Sequence, residues 1–281
     1  MCASRVDLKA AKLIYGTAWK KGETASLVEK AVLAGFRAID TACQPKHYNE
    51  EGVGRALAAL REKHGIFRED IFVQTKFSPV SGQDEHVPYD ANEPISTQVL
   101  QSFEKSKSNL GTPYVDSLIL HSPYPVFADT LLAWRAMESI HIKGEVRQLG
   151  ISNIYNLAIL KKLYDQSTIK PSVVQNRFYE NSSYDIMLRA WCREKGIRYQ
   201  SFWTLTANPH ILSHGIIQQA ATRHSKTPQQ ILFRYLVQRD VDPLTGTQSV
   251  AHMKEDLDVF SFALSMDETA AIDALLIRAS A

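Results

Sequence analysis

The chain alternates short apolar runs with longer stretches in which apolar residues recur every three or four positions. Eight runs read as strands: LIYGTA at 13–18, FRAIDTA at 36–42, DIFVQTKF at 70–77, VDSLILH at 115–121, VRQLGIS at 146–152, SVVQN at 172–176, IRYQSF at 197–202 and a weaker DPLTGT at 242–247. Most are continuously apolar, as befits strands covered on both faces of a parallel sheet. Amphipathic stretches separate them. ETASLVEKAVLAG at 23–35 closes on a glycine suited to a helix C-terminus. TPQQILFRYLVQRD at 227–240 opens on a threonine cap followed by proline, and Ile231, Leu232, Tyr235 and Leu236 form its apolar stripe. Ser265 with Glu268 spells a capping box that opens a last helix over 266–277.

Strand–helix alternation predicts a parallel sheet. Eight repeats in 281 residues predict an α/β fold, a single (β/α)8 TIM barrel forming one domain over 1–281 with its core at 13–277. No Pro/Gly/Ser-rich linker or charge block divides the chain. The longest irregular stretches, 78–94 and 204–215, follow strand ends and fall on the barrel face where active sites sit.

Composition narrows the function classes. Hydrophobic residues make up 44%, and 32 basic against 30 acidic residues leave a net charge of +2. That balance gives no case for nucleic acid or an acidic membrane as partner. Cys2, Cys43 and Cys192 are scattered, which indicates neither a disulfide framework nor a zinc site and suits a reducing compartment. The opening segment lacks the apolar core of a secretory signal, and no apolar run approaches the length of a membrane span. A cytoplasmic location is the expectation. The nine histidines include no HExxH, so no metal is expected. Gly52 and Gly54 sit in a helical stretch with no third glycine, which suggests helix packing rather than a dinucleotide loop.

Strands two, three and four leave Asp40, Lys76 and His121 at or near their C-terminal ends, and the loop after strand two supplies Tyr48. Polar residues there face a barrel's active site. An acid, an amine, an imidazole and a phenol in one place suit carbonyl reduction. Hydride arriving at a carbonyl carbon leaves charge on oxygen, and a proton must follow. A free tyrosine, with a pKa of about 10, is a weak acid at neutral pH. A neighbouring ammonium lowers that pKa, a carboxylate keeps the ammonium charged, and histidine can orient the carbonyl oxygen.

GFRAIDTA followed by Tyr48-Asn49-Glu50 and Gly52-Val53-Gly54, TKF at 75–77, LILHSP at 118–123 and GISN at 150–153 together resemble the ordered signatures of the aldo-keto reductase family over 13–277. The resemblance implies reduction of an aldehyde or ketone by a nicotinamide cofactor. Tyr48 would be the general acid, Lys76 and Asp40 would tune it, and His121 would orient the substrate. Ser152, Asn153 and Gln175 would bind the nicotinamide amide, and Phe202 would stack on its ring. Gly16, Thr17 and Ala18 would border the cofactor at strand one. Trp203, Leu205, Thr245, Thr247, Ser249, His252 and Asp256 would complete its site, and Trp19 and Phe77 would wall the substrate pocket. NADPH is the expected cofactor. NADH stays open, because Pro243 to Ser249 lacks the family's lysine and His252 fills its arginine position. A helix N-terminus there could still hold a phosphate. The chain stops shortly after the last helix, which would leave the pocket open on one side. The expected partner is a small-molecule carbonyl, apolar or aromatic, acted on by a monomer. A cofactor-binding regulatory protein on the same fold and a metal-dependent barrel hydrolase are the rival readings.

Overall fold

Eight parallel strands close on one another in sequence order. They are β1 (Ile14–Gly16), β2 (Ala38–Asp40), β3 (Phe72–Phe77), β4 (Val115–Leu120), β5 (Val146–Ser152), β6 (Val173–Arg177), β7 (Arg198–Phe202) and β8 (Val241–Thr245). This computed structural model describes residues 12–279; Cys2 lies outside them. Helices α1 (Thr24–Ala34), α2 (Glu50–His64), α3 (Ile95–Leu110), α4 (Phe127–Ile142), α5 (Leu157–Gln166) and α6 (Ile186–Glu194) alternate with the strands up to β7. Then come α7 (Pro209–Ser213), α8 (Gly215–His224) and α9 (Pro228–Gln238), and after β8 α10 (Val250–Leu257) and α11 (Met266–Ala279).

The predicted helix signals act as chemistry requires. Gly35 ends α1 at φ 127°, a conformation that L side chains rarely adopt. Thr227 and Gln230 exchange hydrogen bonds at the start of α9, and Ser265 and Glu268 do so at α11. The Gly52–Gly54 pair is a packing device. A Cβ on Gly54 would lie 2.1 Å from the Asn109 carbonyl oxygen of α3. The stretch 204–215 is not wholly irregular: Pro209 starts the short α7, because a proline at the first helical turn gives up no hydrogen bond.

Side-chain parity places the site. Outward residues such as Ile39, Val73, Leu118, Leu149 and Val174 join the main core beneath the helices. Inward residues Ile14, Ala38 and Phe72 plug the barrel floor with Leu244. One layer higher the interior turns polar. Gln74 Nε2 donates to Asp40 Oδ1 (2.7 Å) and Gln200 Oε1 (2.8 Å), and Gln175 Nε2 donates to the same two oxygens (3.0 and 2.9 Å). Strands whose sequence reads as apolar therefore carry a hydrogen-bonded polar layer under the barrel mouth.

Candidate active site

The period of two carries the inward row from Phe72 through Gln74 to Lys76 on β3, and from Ala38 to Asp40 on β2. Lys76 and Asp40 meet at 2.5 Å, with side chains only 1% and 3% exposed. The ammonium also donates to the Thr41 carbonyl (2.9 Å). Burial pushes the Lys76 pKa down, and the Asp40 charge and hydrogen bond oppose that. The Lys76 nitrogen lies 5.0 Å from the Tyr48 ring centre, and the Tyr48 ring meets that of His121 edge-on at 6.0 Å. Asp40, Tyr48 and His121 line one cleft of about 590 Å³ at the mouth, and Lys76 lies just beneath it.

The net shift of the Tyr48 phenol runs opposite to the lowering expected from Lys76. Lys76 is committed to Asp40, and burial followed by the Asp40 charge pushes the phenol up instead. Tyr48 therefore keeps its proton at neutral pH. His121 is held well below the usual histidine value by burial, then by the charges of Lys76 and His47. Its ring is neutral. Ser78 Oγ lies 2.6 Å from His121 Nδ1. With Nδ1 accepting that hydroxyl proton, Nε2 carries the ring proton and can donate.

Gly16, Ala18, Trp19, Asn153, Gln175, Phe202 and Trp203 also line the cleft. Trp19, Asn153 and Trp203 hold positive φ angles of 64°, 54° and 55°, a strain that concentrates at functional sites. Gln175 spends its amide nitrogen on the polar layer, while its oxygen accepts nothing among the described residues and sits at the cleft, free for an amide donor. An adjoining cavity of about 480 Å³ shares Trp203, Leu244 and Gly246 with the cleft and adds Leu205, Thr245, Thr247, His252 and Asp256. The two cavities therefore lie side by side at the barrel mouth. In the adjoining cavity Asp256 accepts from Thr245 Oγ1 (2.7 Å), and burial raises its pKa to about 6. His252 is exposed there.

Four expected site residues do not line the cleft or the adjoining cavity. Phe77 points outward, because Lys76 points inward; it packs on Tyr89 in the helix-side core. Thr17 is fully buried by the same parity and donates to the Asp40 carbonyl. The Ser152 hydroxyl is taken by the Gln175 carbonyl at 2.6 Å. Ser249 caps α10 by accepting from His252 N. Sequence reasoning missed Ser78, His47 and Lys20. His47 stacks on Trp19 at 3.9 Å. Lys20, buried beside the cleft, donates to the Gly246 carbonyl (2.7 Å), and burial brings its pKa to about 8. Among the described residues, Asp84, Glu85 and His86 could bring three metal ligands together, but such exposed acidic groups are common without an ion. No described helix is long and apolar enough to cross a membrane.

A barrel whose mouth gathers a retained phenol proton, a neutral imidazole and a buried ion pair beside a second cavity has the makings of an oxidoreductase. Residues 12–277 match the model of the Aldo/keto reductase family, and the chain belongs to that family. It is a nicotinamide-dependent oxidoreductase. The glyoxal reductase of Bacillus subtilis is 31% identical over 254 residues, which span 90% of this chain and 83% of the relative. The methylglyoxal reductase DkgA of Yersinia pestis is 30% identical over 254 residues, 90% of this chain and 84% of the relative. A deep-sea metagenome aldo-keto reductase superposes with a TM-score of 0.81 at 27% identity, covering 95% of this chain and 91% of that one. A Bombyx mori aldo-keto reductase crystallised with NADP gives 0.78 at 25% identity over 93% of this chain and 88% of that one.

Proposed function

We propose that this protein reduces an aldehyde or ketone to the alcohol with NADPH, and that Tyr48 delivers the proton. When bound, the nicotinamide supplies a hydride to the carbonyl carbon. The Tyr48 hydroxyl proton goes to the carbonyl oxygen, which completes the alcohol. The observation that carries this reading is the division of protonation states at the mouth. Burial leaves Tyr48 its proton and leaves His121 without its second one, so the phenol is the acid in place. His121 Nε2–H orients the carbonyl oxygen by donating to it. The Asp40–Lys76 pair supplies fixed charge beneath the phenol.

Support for the cofactor site is the pair of adjoining cavities and the unengaged Gln175 oxygen. Support for NADPH over NADH is the NADP-bound relative. The glyoxal and methylglyoxal reductases among its relatives, and the exposed Trp19 and Trp203 at the rim, favour small or aromatic aldehydes. We take the active unit to be a monomer, since one chain lines the whole cleft; a dimer in light scattering overturns that part.

The experiment is fluorescence titration with NADPH and NADH, followed by absorbance loss on adding aldehydes to wild type and Tyr48→Phe. Wild type is expected to bind NADPH more tightly and consume it. The variant is expected to bind it equally and not turn over. Activity retained in Tyr48→Phe removes Tyr48 from the acid role.

A further inference from the structure

Arg177 closes β6 on the same inward row as Val173 and Gln175, and it lines the cleft with Asp40, Tyr48 and His121. Other half-buried arginines on the barrel pair with an acid: Arg68 with Asp116 at 2.9 Å, Arg198 with Asp242 at 2.7 Å. Arg177 forms no ion pair among the described residues, and its Nε is buried without a hydrogen-bond partner. A buried, unmatched donor is uncommon in folded proteins, and a guanidinium cannot shed its proton to escape the cost.

The group is nonetheless held in place. Its guanidinium carbon lies 4.2 Å from the Trp203 ring centre and 5.2 Å from that of Tyr179. Tyr155 accepts from the Arg177 backbone N–H and donates to Asn153 Oδ1, which ties this corner to the cofactor side of the cleft. Aromatic faces satisfy the flat side of a guanidinium and leave its edge N–H groups for a planar anion. The other cations nearby are engaged: Lys76 with Asp40, Lys20 with the Gly246 carbonyl.

We infer that Arg177 is an anion-recognition residue of the active cleft. It receives two oxygens of one anionic group in parallel, either a carboxylate on the carbonyl substrate or the diphosphate of the cofactor. The inference rests on the reductase reading for the identity of these ligands. It is a specificity role, separate from proton delivery by Tyr48.

The test compares wild type, Arg177→Gln and Arg177→Lys by isothermal titration with NADPH, para-carboxybenzaldehyde and the methyl ester of that aldehyde. Loss of a charge-assisted pair of hydrogen bonds weakens binding by about tenfold or more. If the anion belongs to the substrate, Arg177→Gln lowers the acid-to-ester affinity ratio by that factor. If it belongs to the cofactor, the NADPH Kd rises by that factor and the ratio holds. Arg177→Lys keeps the charge without the fork and recovers part of the loss in either case, which a merely structural role does not produce. An unchanged NADPH Kd together with an unchanged acid-to-ester ratio in Arg177→Gln overturns the inference. Turnover is measured separately. A wild type that binds these compounds but consumes none defeats the reductase reading, and the titrations still decide Arg177.

Discussion

Replacing Asp40 by asparagine changes one oxygen to an amide nitrogen and leaves the shape of the side chain intact. The structure gives that amide no satisfactory orientation. Oδ1 now accepts from Gln74 and Gln175, and Oδ2 accepts from Lys76. An asparagine can serve one side only, and its NH2 then faces donors on the other. Lys76 also loses the charge that opposes its desolvation, with its side chain 1% exposed. Removing one partner of a buried ion pair costs about 3–5 kcal/mol. At about 2 °C per kcal/mol for a chain of this size, the melting temperature falls by roughly 6–10 °C at pH 7. The pH dependence has a definite sign. Lys76 in the variant sheds its proton in the native state, while the unfolded lysine keeps it up to a pKa of about 10.4. The unfolded state then binds more protons, so stability rises with pH, and the deficit relative to wild type shrinks between about pH 7 and pH 10. Adding Lys76→Met to Asp40→Asn recovers part of the loss, because no unpaired ammonium remains. Thermal melts by circular dichroism at the two pH values measure all of this. A deficit below about 2 °C at neutral pH, or one that does not narrow on going alkaline, refutes the account of the pair.

Ser78→Ala removes the hydroxyl hydrogen-bonded to His121 Nδ1; kcat/KM for an aldehyde is expected to fall about two- to tenfold, the worth of one neutral hydrogen bond, with the NADPH Kd little moved. His121 is held well below 6.5, so it stays neutral throughout the physiological range; a step in kcat/KM near pH 6.5 that vanishes in His121→Gln contradicts this. Gly54→Ala drives a methyl into the Asn109 carbonyl; overpacking of this kind costs about 1–3 kcal/mol, read as a lowered denaturation midpoint. Glu268 is held at about 2 by His224, Ser265 and Arg223 despite its burial, so its stabilisation is present above the unfolded value of about 4.5 and is lost as pH falls towards 2. Glu268→Gln should flatten the acid limb of the stability profile in that window; an unchanged limb assigns acid unfolding to other groups.

The barrel was legible because its signals are local and redundant. Eight apolar runs, a glycine after α1 and two capping boxes each constrain a different stretch, and all agree on alternation. Strand ends were less legible. FRAIDTA yields a strand only over Ala38–Asp40, although the backbone of Thr41 and Cys43 continues to bond to Gln74 and Lys76 past it. The chemistry at strand ends was visible as residue types, but its states were not. Whether Lys76 tunes Tyr48 depends on which group the ammonium reaches first, and that is a distance, not a spacing. Parity was the unused signal. Counting by twos from Asp40 and Lys76 would have sent Phe77 and Thr17 outward. The same count on β6 runs from Gln175 to Arg177, which puts a guanidinium at the mouth. What no count could supply is that this guanidinium meets two aromatic rings and no acid, because Tyr179 and Trp203 come from separate loops that only the closed barrel brings together. Pairing of charges across loops is set by tertiary closure, so an unpaired one becomes recognisable only once the barrel is complete.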